Sequence, residues 1–289
     1  MTRFRHYIEY VFLRGVAAVI RLLPFSFVMK LARLGGRVLY FLLKKYRRVA
    51  HENIKMALSS EMNEDQIKRL VIESFENLAM FALEFIFIPK MAKNTDRYLQ
   101  MEGGQYVKEA LKKGKGVVVV LAHSGNWEWM AVLLGMNFPI QAVARPLRNP
   151  FVYDYIKKLR GITGLRSIDK RGAIRQSLKM ISRNEVVCVL IDQHERQASV
   201  RVPFFGREAS TPTLPALLAL KRGAVVLPLF YSREKKLPSR MFFSEPFKLI
   251  QTGNDEQDIL ENTKQYVARI EEEVRKRPAE WLWMHRRWR

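Results

Sequence analysis

The clearest indication of the fold is the run Val117-Val118-Val119-Val120-Leu121, which continues as Ala122-His123-Ser124-Gly125-Asn126-Trp127-Glu128. Five consecutive apolar β-formers predict a strand buried on both faces, which is typical of a parallel central sheet. The run ends at a histidine, and small polar residues then lead into a predicted helix that carries an acid. A buried strand that delivers His123 to a turn, with Glu128 on the next helix, is a common way to mount a general base.

The alternation of apolar strand and amphipathic helix continues on the C-terminal side of this stretch. Four strands are predicted, at Gly116–Ala122, Ile140–Ala144, Glu185–Ile191 and Ala224–Phe230, with helices between them. This order predicts an α/β fold with a central, mostly parallel sheet flanked by helices. Ligands of such sheets bind at the carboxyl ends of the strands.

Polar residues follow three of these predicted strands. His123 follows the first, Arg145 and Asn149 follow the second, and Asp192 and Gln193 follow the third. Arg145 suits a phosphate or a developing oxyanion, and Asp192 suits orienting either a substrate or the base. The alternative for Arg145 is an ordinary surface arginine, and the alternative for Asp192 is a residue in a plain turn at the end of a strand. If the three strand ends converge, they build one site from separate loops.

His123 and Glu128 are five residues apart, which is about 140° around a regular helix. The two side chains can therefore meet only if His123 precedes the helix, as the strand predicts. Glu128 could then hold the imidazole and favour its protonated form. Asn126 lies in a stretch that can start a helix and offer free backbone N–H groups. The alternative is a capped helix with a surface glutamate.

Several common catalytic motifs are absent from the sequence. There is no Gly-x-Ser-x-Gly elbow and no Gly-x-x-x-x-Gly-Lys-Ser/Thr loop. The single cysteine, Cys188, lies in an apolar run and is predicted to fill the core. His194 is predicted to be a loop residue, and the spacing of His and Cys predicts no metal site. A His/Glu base without a protein nucleophile favours direct transfer, in which the base deprotonates an acceptor hydroxyl.

The charge of the chain predicts an anionic partner. Fifty Lys and Arg stand against 28 Asp and Glu, a net charge of +22, which suits nucleic acid, a membrane surface or an acidic substrate. Residues 1–50 combine eleven cations and one acid with many large apolar residues. Arg14 and Arg21 interrupt the best candidate for a membrane span and fall on one helical face, and Pro24 ends or kinks that helix.

Residues 1–50 are therefore predicted to form basic amphipathic helices that associate with a membrane surface. Two ordinary helices packed on the core are the alternative. Residues 51–289 are predicted to form a single α/β domain.

The order of motifs resembles the late acyltransferases of lipid A biosynthesis, of the lauroyl/myristoyl type. These belong to the His-x4-Asp/Glu superfamily of lysophospholipid and glycerolipid acyltransferases. The matching features span nearly the whole chain: the basic, apolar N-terminus, Arg48–Ile54, Phe75-Glu76-Asn77 with Glu84, His123–Glu128, Ala144-Arg145-Pro146 with Asn149-Pro150, Asp192-Gln193, Val202–Gly206, Thr211-Pro212, Leu227-Pro228, and Glu280–Trp288.

The resemblance implies an O-acyltransferase acting on a lipid A precursor or a related membrane glycolipid. Acyl carrier protein, or acyl-CoA, would donate the acyl chain, with no cofactor and no metal. His123 would be the base and Glu128 its partner, and Arg145 would hold a phosphate of the donor or the acceptor. The other expected substrate-binding residues are Asn126, Asn149, Asp192 and Gln193. The expected location is the cytoplasmic face of the inner membrane, with membrane lipids as partners.

Other readings stay open at this point. The acceptor could be another membrane lipid, such as a phosphatidylinositol mannoside or an ornithine lipid. An acyl thioester hydrolase could use the same His/Glu pair to activate water. A basic nucleic-acid-binding protein is a remote alternative, because residues 10–45 are strongly apolar and no nucleic-acid motif is present.

Overall fold

The computed structural model describes residues 2–144, 147–169 and 172–288. Four helices come first along the chain: α1 (Thr2–Leu22), α2 (Phe25–Leu42), α3 (Lys44–Leu58) and α4 (Glu64–Met91). Pro24 separates α1 from α2, which agrees with its expected effect on the first helix. Asn63 caps α4 through a reciprocal pair of hydrogen bonds with Gln66.

The remainder alternates strands and helices, as the sequence predicts. The elements are β1 (Leu99–Glu102), α5 (Gly104–Lys112), β2 (Val117–Leu121), α6 (Trp127–Asn137), β3 (Ile140–Ala144), α7 (Pro150–Gly161), β4 (Arg166–Asp169), α8 (Ala173–Ile181), β5 (Val186–Leu190), β6 (Ser199–Phe204), β7 (Arg207–Pro212), α9 (Leu214–Arg222), β8 (Val225–Ser232), β9 (Ser239–Phe243) and α10 (Asp255–Lys276).

Seven strands form one sheet in the order β1-β9-β8-β2-β5-β3-β4, and β6 and β7 form a separate antiparallel hairpin. Neighbouring strands of the sheet run parallel except for β8 and β9. The α/β class with a mostly parallel central sheet is thereby confirmed. The sequence missed β1, β4 and β9, which are four or five residues long and carry polar side chains among the apolar ones.

β2 lies in the middle of the sheet, and all five of its side chains are buried. Val118 and Val120 belong to the core on one face, while Val117, Val119 and Leu121 belong to the core on the other. Burying each such side chain contributes about 1.5–3 kcal/mol relative to leaving it exposed. The strand that delivers His123 is therefore anchored from both sides.

The first two helices pack on the rest of the molecule in different ways. α2 lies along α4 so closely that a Cβ on Gly36 would come within 2.5 Å of the Glu76 Cα. α1 contacts α4 and α7, where Arg21 donates to the Ile86 carbonyl at 2.7 Å and to the Tyr155 hydroxyl at 2.7 Å.

The predicted boundary between a membrane-associating part and a catalytic domain, at residue 50, falls inside α3. That division stays a prediction. No helix in the described part of the chain combines the length and apolarity needed to cross a membrane.

Candidate active site

His123 and Asp192 meet because their strands are neighbours in the sheet. Leu121 at the end of β2 is in register with Leu190 at the end of β5, so the residues two further along face each other. The Asp192 carboxylate accepts two hydrogen bonds from His123, one from Nδ1 and one from the backbone N–H, both at 2.8 Å. Two of the three predicted strand ends therefore converge at the carboxyl edge of the sheet.

The Asp192 carboxylate is buried and ionised. A third donor, the Trp281 indole Nε1–H, reaches it at 2.8 Å. Burial raises the pKa of Asp192, but the charge of His123 and the three hydrogen bonds outweigh burial and hold this pKa below its ordinary value. An ionised carboxylate at Nδ1 keeps the proton on that nitrogen, so in the neutral ring Nε2 carries the lone pair.

Nε2 of His123 is the nitrogen left for chemistry. It has no hydrogen-bond partner within residues 2–144, 147–169 and 172–288, and the side chain is 18% exposed. The ring is also fixed in direction, since Trp127 meets it edge-on with ring centroids 5.2 Å apart. Trp127 in turn stacks on Phe81 of α4 at 3.8 Å. The imidazole is thus held in one orientation, and part of the side chain reaches the surface.

The turn after His123 requires glycine and is held by the C-terminal segment. Gly125 has φ +58°, and a Cβ there would lie 2.0 Å from the Tyr231 ring. The Gly125 N–H donates to the Glu280 carbonyl at 2.9 Å, and the Leu282 N–H donates to the His123 carbonyl at 3.0 Å. These contacts fix the backbone on both sides of Ser124.

Asn126, a predicted substrate-binding residue, is fully buried and uses its side chain within the protein. Its Oδ1 accepts from the Trp129 N–H at 2.9 Å, which caps α6, and its Nδ2 donates to Glu84 at 2.8 Å. Glu84 forms a buried ion pair with Arg233. Burial lowers the pKa of Arg233, but the pairing with Glu84 outweighs burial and leaves this pKa above its ordinary value. Asn126 therefore ties the loop to a buried charged pair.

Glu128 does not hold the imidazole, and here the sequence prediction needs correction. The carboxylate at Nδ1 is that of Asp192, whereas Glu128 forms a two-pronged ion pair with Arg160 of α7, at 2.8 Å from Nε and 2.5 Å from Nη2. The chain turns at Gly125 and α6 begins at Trp127, so Glu128 lies in the first turn of that helix and meets α7. A catalytic role for Glu128 stays a prediction.

The other predicted substrate-binding residues are placed as follows. Asn149 caps α7 and also donates to the His6 carbonyl and to Glu9 at 2.9 Å each, so it connects α7 to α1. Gln193 is half-buried next to Asp192, and its carbonyl accepts from Arg287 at 3.4 Å. Arg145 lies outside the described residues, and its assignment stays a prediction.

The C-terminal residues form a strap across the site, here defined as residues 280–288. Trp281 contacts Asp192, and Trp281, Trp283 and Trp288 pack against Phe204 or Phe205 of the β6–β7 hairpin. The run Val202–Gly206, which covers the end of β6 and the hairpin turn, thus supports the strap.

Arg287 of the strap is fully buried and donates to the carbonyl of Ser210 and the hydroxyl of Thr211. Burial lowers the pKa of Arg287 to about 10. The sequence singles out this aromatic and basic tail but gives no sign that it reaches Asp192. No sequence pattern predicts the ion pair of Arg160, because this residue is one cation among several on an amphipathic helix.

The side chains assembled at the site suit proton transfer. Within the part of the chain that the structure describes, no three His, Cys, Asp or Glu side chains are arranged to hold a metal ion. Cys188 is buried in β5, and burial raises the pKa of its thiol, so it does not serve as a nucleophile. An imidazole that is oriented by a buried carboxylate can accept a proton at its other nitrogen.

Comparison with known proteins places this site in a family. The profile of the bacterial lipid A biosynthesis acyltransferases matches residues 1–289, and the chain belongs to that family. The protein is therefore an acyltransferase, of the class that acts in lipid A or related glycolipid synthesis.

Individual relatives agree with this assignment at low identity. The lipid A biosynthesis lauroyltransferase of Escherichia coli (strain K12) is 24% identical over 284 residues, which cover 95% of this chain and 89% of the relative. A phosphatidylinositol mannoside acyltransferase of Mycobacterium tuberculosis (strain H37Rv) is 29% identical over 169 residues, or 55% of this chain and 53% of the relative.

Among solved structures, the 1-acyl-sn-glycerophosphate acyltransferase of Thermotoga maritima aligns over 82% of this chain and 98% of its own. The two share 16% identity, with a TM-score of 0.39.

Proposed function

We propose that this protein is a peripheral membrane O-acyltransferase that moves a fatty acyl chain from a thioester donor to a hydroxyl of a membrane glycolipid, with His123 as the general base. The observation that carries the proposal is the contact of His123 Nδ1 with Asp192, which leaves Nε2 basic and accessible. A base of this kind typically contributes 10²–10⁴-fold to the rate, by order of magnitude.

The reaction needs no covalent enzyme intermediate. Nε2 of His123 removes the proton of the acceptor hydroxyl while the hydroxyl oxygen attacks the thioester carbonyl carbon. The resulting tetrahedral oxyanion collapses, the carbon–sulfur bond breaks, and the leaving thiolate takes the proton from Nε2. The products are an ester and a free thiol, and His123 returns to its neutral form.

Asp192 acts through His123 in this scheme. It fixes the ring and balances the positive charge that the ring acquires in the transition state. The oxyanion would be stabilised by the N–H groups of Trp127 and Glu128, which start α6 and have no carbonyl partner within the helix, or by Arg145. Glu128 and Arg160 would hold α6 and α7 together.

The membrane surface is proposed from apolar side chains that face solvent. On α1 they recur at helical spacing in one stripe: Phe4, Ile8, Val11, Val19 and Leu22. A second stripe runs along the side of α2 away from α4: Phe27, Leu31, Leu34, Val38 and Phe41. Lys30, Arg33 and Arg37 lie between these residues of α2. Apolar stripes with interspersed cations are typical of helices that lie in the membrane interface.

The proposal also covers the acyl donor, the location and the acceptor. We propose acyl carrier protein, or acyl-CoA, as the donor, no cofactor, and the cytoplasmic face of the inner membrane as the location. The acceptor is proposed to be a lipid A precursor, with a phosphatidylinositol mannoside or an ornithine lipid as the alternative. The net charge of +22 would attract both an acidic carrier protein and an anionic membrane.

The decisive experiment measures transfer and hydrolysis together. Purified full-length protein in neutral detergent receives an acyl thioester with a labelled acyl chain and extracted membrane lipids, and mass spectrometry identifies the products. We expect an acylated glycolipid that depends on His123, with His6→Ala as a matched histidine control. Release of labelled fatty acid without any acylated lipid would instead establish a thioester hydrolase.

A further inference from the structure

A basic cleft lies where α3 meets α4, and none of its lining residues belongs to the candidate active site. Its volume is about 700 Å³, and its cationic lining is formed by Lys44, Lys45, Arg47, Arg48 and Lys68. Tyr40 and His51 complete the polar lining, and no Asp or Glu is among the lining residues of the described chain.

The cations of the cleft are only partly neutralised by the protein itself. Arg48 lies 3.6 Å from Glu52, and Lys68 lies 3.6 Å from Asp65. Lys44, Lys45 and Arg47 have no carboxylate within ion-pairing distance among the residues that the structure describes. Arg47 instead lies over the Tyr40 ring, at 5.0 Å from its centroid. A concave surface with several unpaired cations favours a bound anion.

The positions of Lys44, Lys45 and Arg47 in α3 oppose the electrostatics of the helix. All three lie in its first turn, which contains no acidic residue. The helix macrodipole is positive at that end and disfavours cations there. These charges therefore do not serve the stability of α3, and an external anion gives them a use.

The side chains around the cleft indicate which kind of anion it would bind. Exposed apolar side chains flank Lys44 and Lys45 on both sides in sequence: Phe41, Leu42, Leu43 and Tyr46. Phe41 is also the last member of the exposed stripe on α2. Apolar groups beside lysines suit the boundary between headgroups and acyl chains, whereas an acidic soluble protein needs no such apolar flank.

We infer that this cleft binds the phosphate groups of anionic phospholipids in the membrane, with Lys44, Lys45 and Arg47 as its main ligands. This inference rests on the proposed docking of α1 and α2 on a membrane surface. The cleft would then fix the orientation of the protein on the bilayer, because it anchors the far end of α2 by charge as well as by apolar contact.

The test compares two lysine pairs in the full-length protein. The variant Lys44→Gln/Lys45→Gln removes two cations of the cleft, and Lys112→Gln/Lys113→Gln removes two exposed adjacent lysines at the end of α5. Both variants change the net charge equally. Binding is measured by co-sedimentation with vesicles of phosphatidylcholine alone and of phosphatidylcholine with phosphatidylglycerol.

We expect the cleft variant to bind the anionic vesicles about 25-fold more weakly, or roughly fivefold for each charge near the surface. The α5 variant should lose less than fivefold, and all proteins should bind the neutral vesicles alike. The melting temperature of the cleft variant should stay close to that of the wild type, because the dipole of α3 disfavours these two cations while the dipole of α2, which ends at Leu42, favours them. Unchanged binding, or an equal loss in both variants, would overturn the inference.

A kinetic assay separates the membrane from the acyl donor. In neutral detergent, the KM for an acyl carrier protein donor should be the same in the cleft variant and the wild type. A raised KM, with vesicle binding intact, would assign the cleft to the carrier protein and overturn the lipid assignment. Vesicle binding does not depend on acyl transfer, so failure of the proposed function would appear separately, as absent transfer by a protein that still binds anionic vesicles.

Discussion

Asp192 and Glu128 are two shielded carboxylates near the same loop, and the protein holds them in different ways. Asp192 follows β5 and receives three N–H groups, two from His123 and one from Trp281. Glu128 lies in the first turn of α6 and receives one guanidinium, that of Arg160. The first carboxylate is linked to the candidate base, whereas the second is linked to a neighbouring helix.

For a histidine at a strand end, nearness in sequence is therefore a poor guide to its hydrogen-bond partner. Glu128 is five residues from His123 but is carried away by the turn at Gly125 and the start of α6. Asp192 is 69 positions away and arrives through strand register. Variants of the two carboxylates should therefore fail in different ways.

Loss of the base itself should have the largest effect. His123→Ala removes Nε2, and we expect acyl transfer to fall toward the upper end of the range for general-base catalysis, roughly 10⁴-fold. Initial rates in neutral detergent measure the loss, with His6→Ala as the control. Circular dichroism should show the same fold in both variants. Near-normal transfer by a folded His123→Ala protein would remove the proposed mechanism.

Asp192→Asn should have the next largest effect on catalysis. The amide cannot balance the charge of the imidazolium and can favour the wrong tautomer, so we expect a loss of roughly 10²-fold or more. The acid limb of the kcat/KM profile should also move to lower pH, because the protonated ring loses its counter-charge. A full pH–rate profile checks both effects. If the rate falls but the profile does not move, Asp192 supports only the fold of the loop.

Glu128→Gln should act mainly on stability. It leaves Arg160 shielded from solvent without its partner, and we expect the free energy of unfolding to fall by about 2–4 kcal/mol. The double variant Glu128→Gln/Arg160→Gln should recover part of this loss, as a double-mutant cycle in denaturant would show. The pH–rate profile should keep its shape. A displaced acid limb in Glu128→Gln would mean that Glu128 addresses the base directly, as the sequence predicts.

Part of the fold and part of the candidate site can be predicted from the sequence. The apolar run of β2 predicts a buried strand, and polar residues at strand ends predict the edge where His123 and Asp192 lie. The pairing of the two depends on β5 lying next to β2, although β3 is the next of these strands along the chain. That order is set by how the whole sheet packs, so no local pattern contains it. The hydrogen bond from Trp281 to Asp192 cannot be predicted for the same reason, since the two residues are 89 positions apart in the sequence.

Trp281→Phe should give the smallest effect and tests the third hydrogen bond to Asp192. The ring is kept but one N–H is lost, so we expect about 1–2 kcal/mol less stability near neutral pH and less than a tenfold change in rate. Because the pKa of Asp192 is lowered in the folded protein, ionised Asp192 stabilises the fold above the ordinary carboxyl pKa of about 3.9. This contribution disappears as the pH falls through the lowered pKa. With one hydrogen-bond donor fewer, the pKa of Asp192 is lowered less in the variant. The free energies of unfolding of variant and wild type should therefore approach each other as the pH falls. Urea titrations between pH 3 and 7, at steps of about one pH unit, measure this difference in the free energy of unfolding. A difference in the free energy of unfolding that does not change with pH would mean that Trp281 stabilises the strap by packing alone.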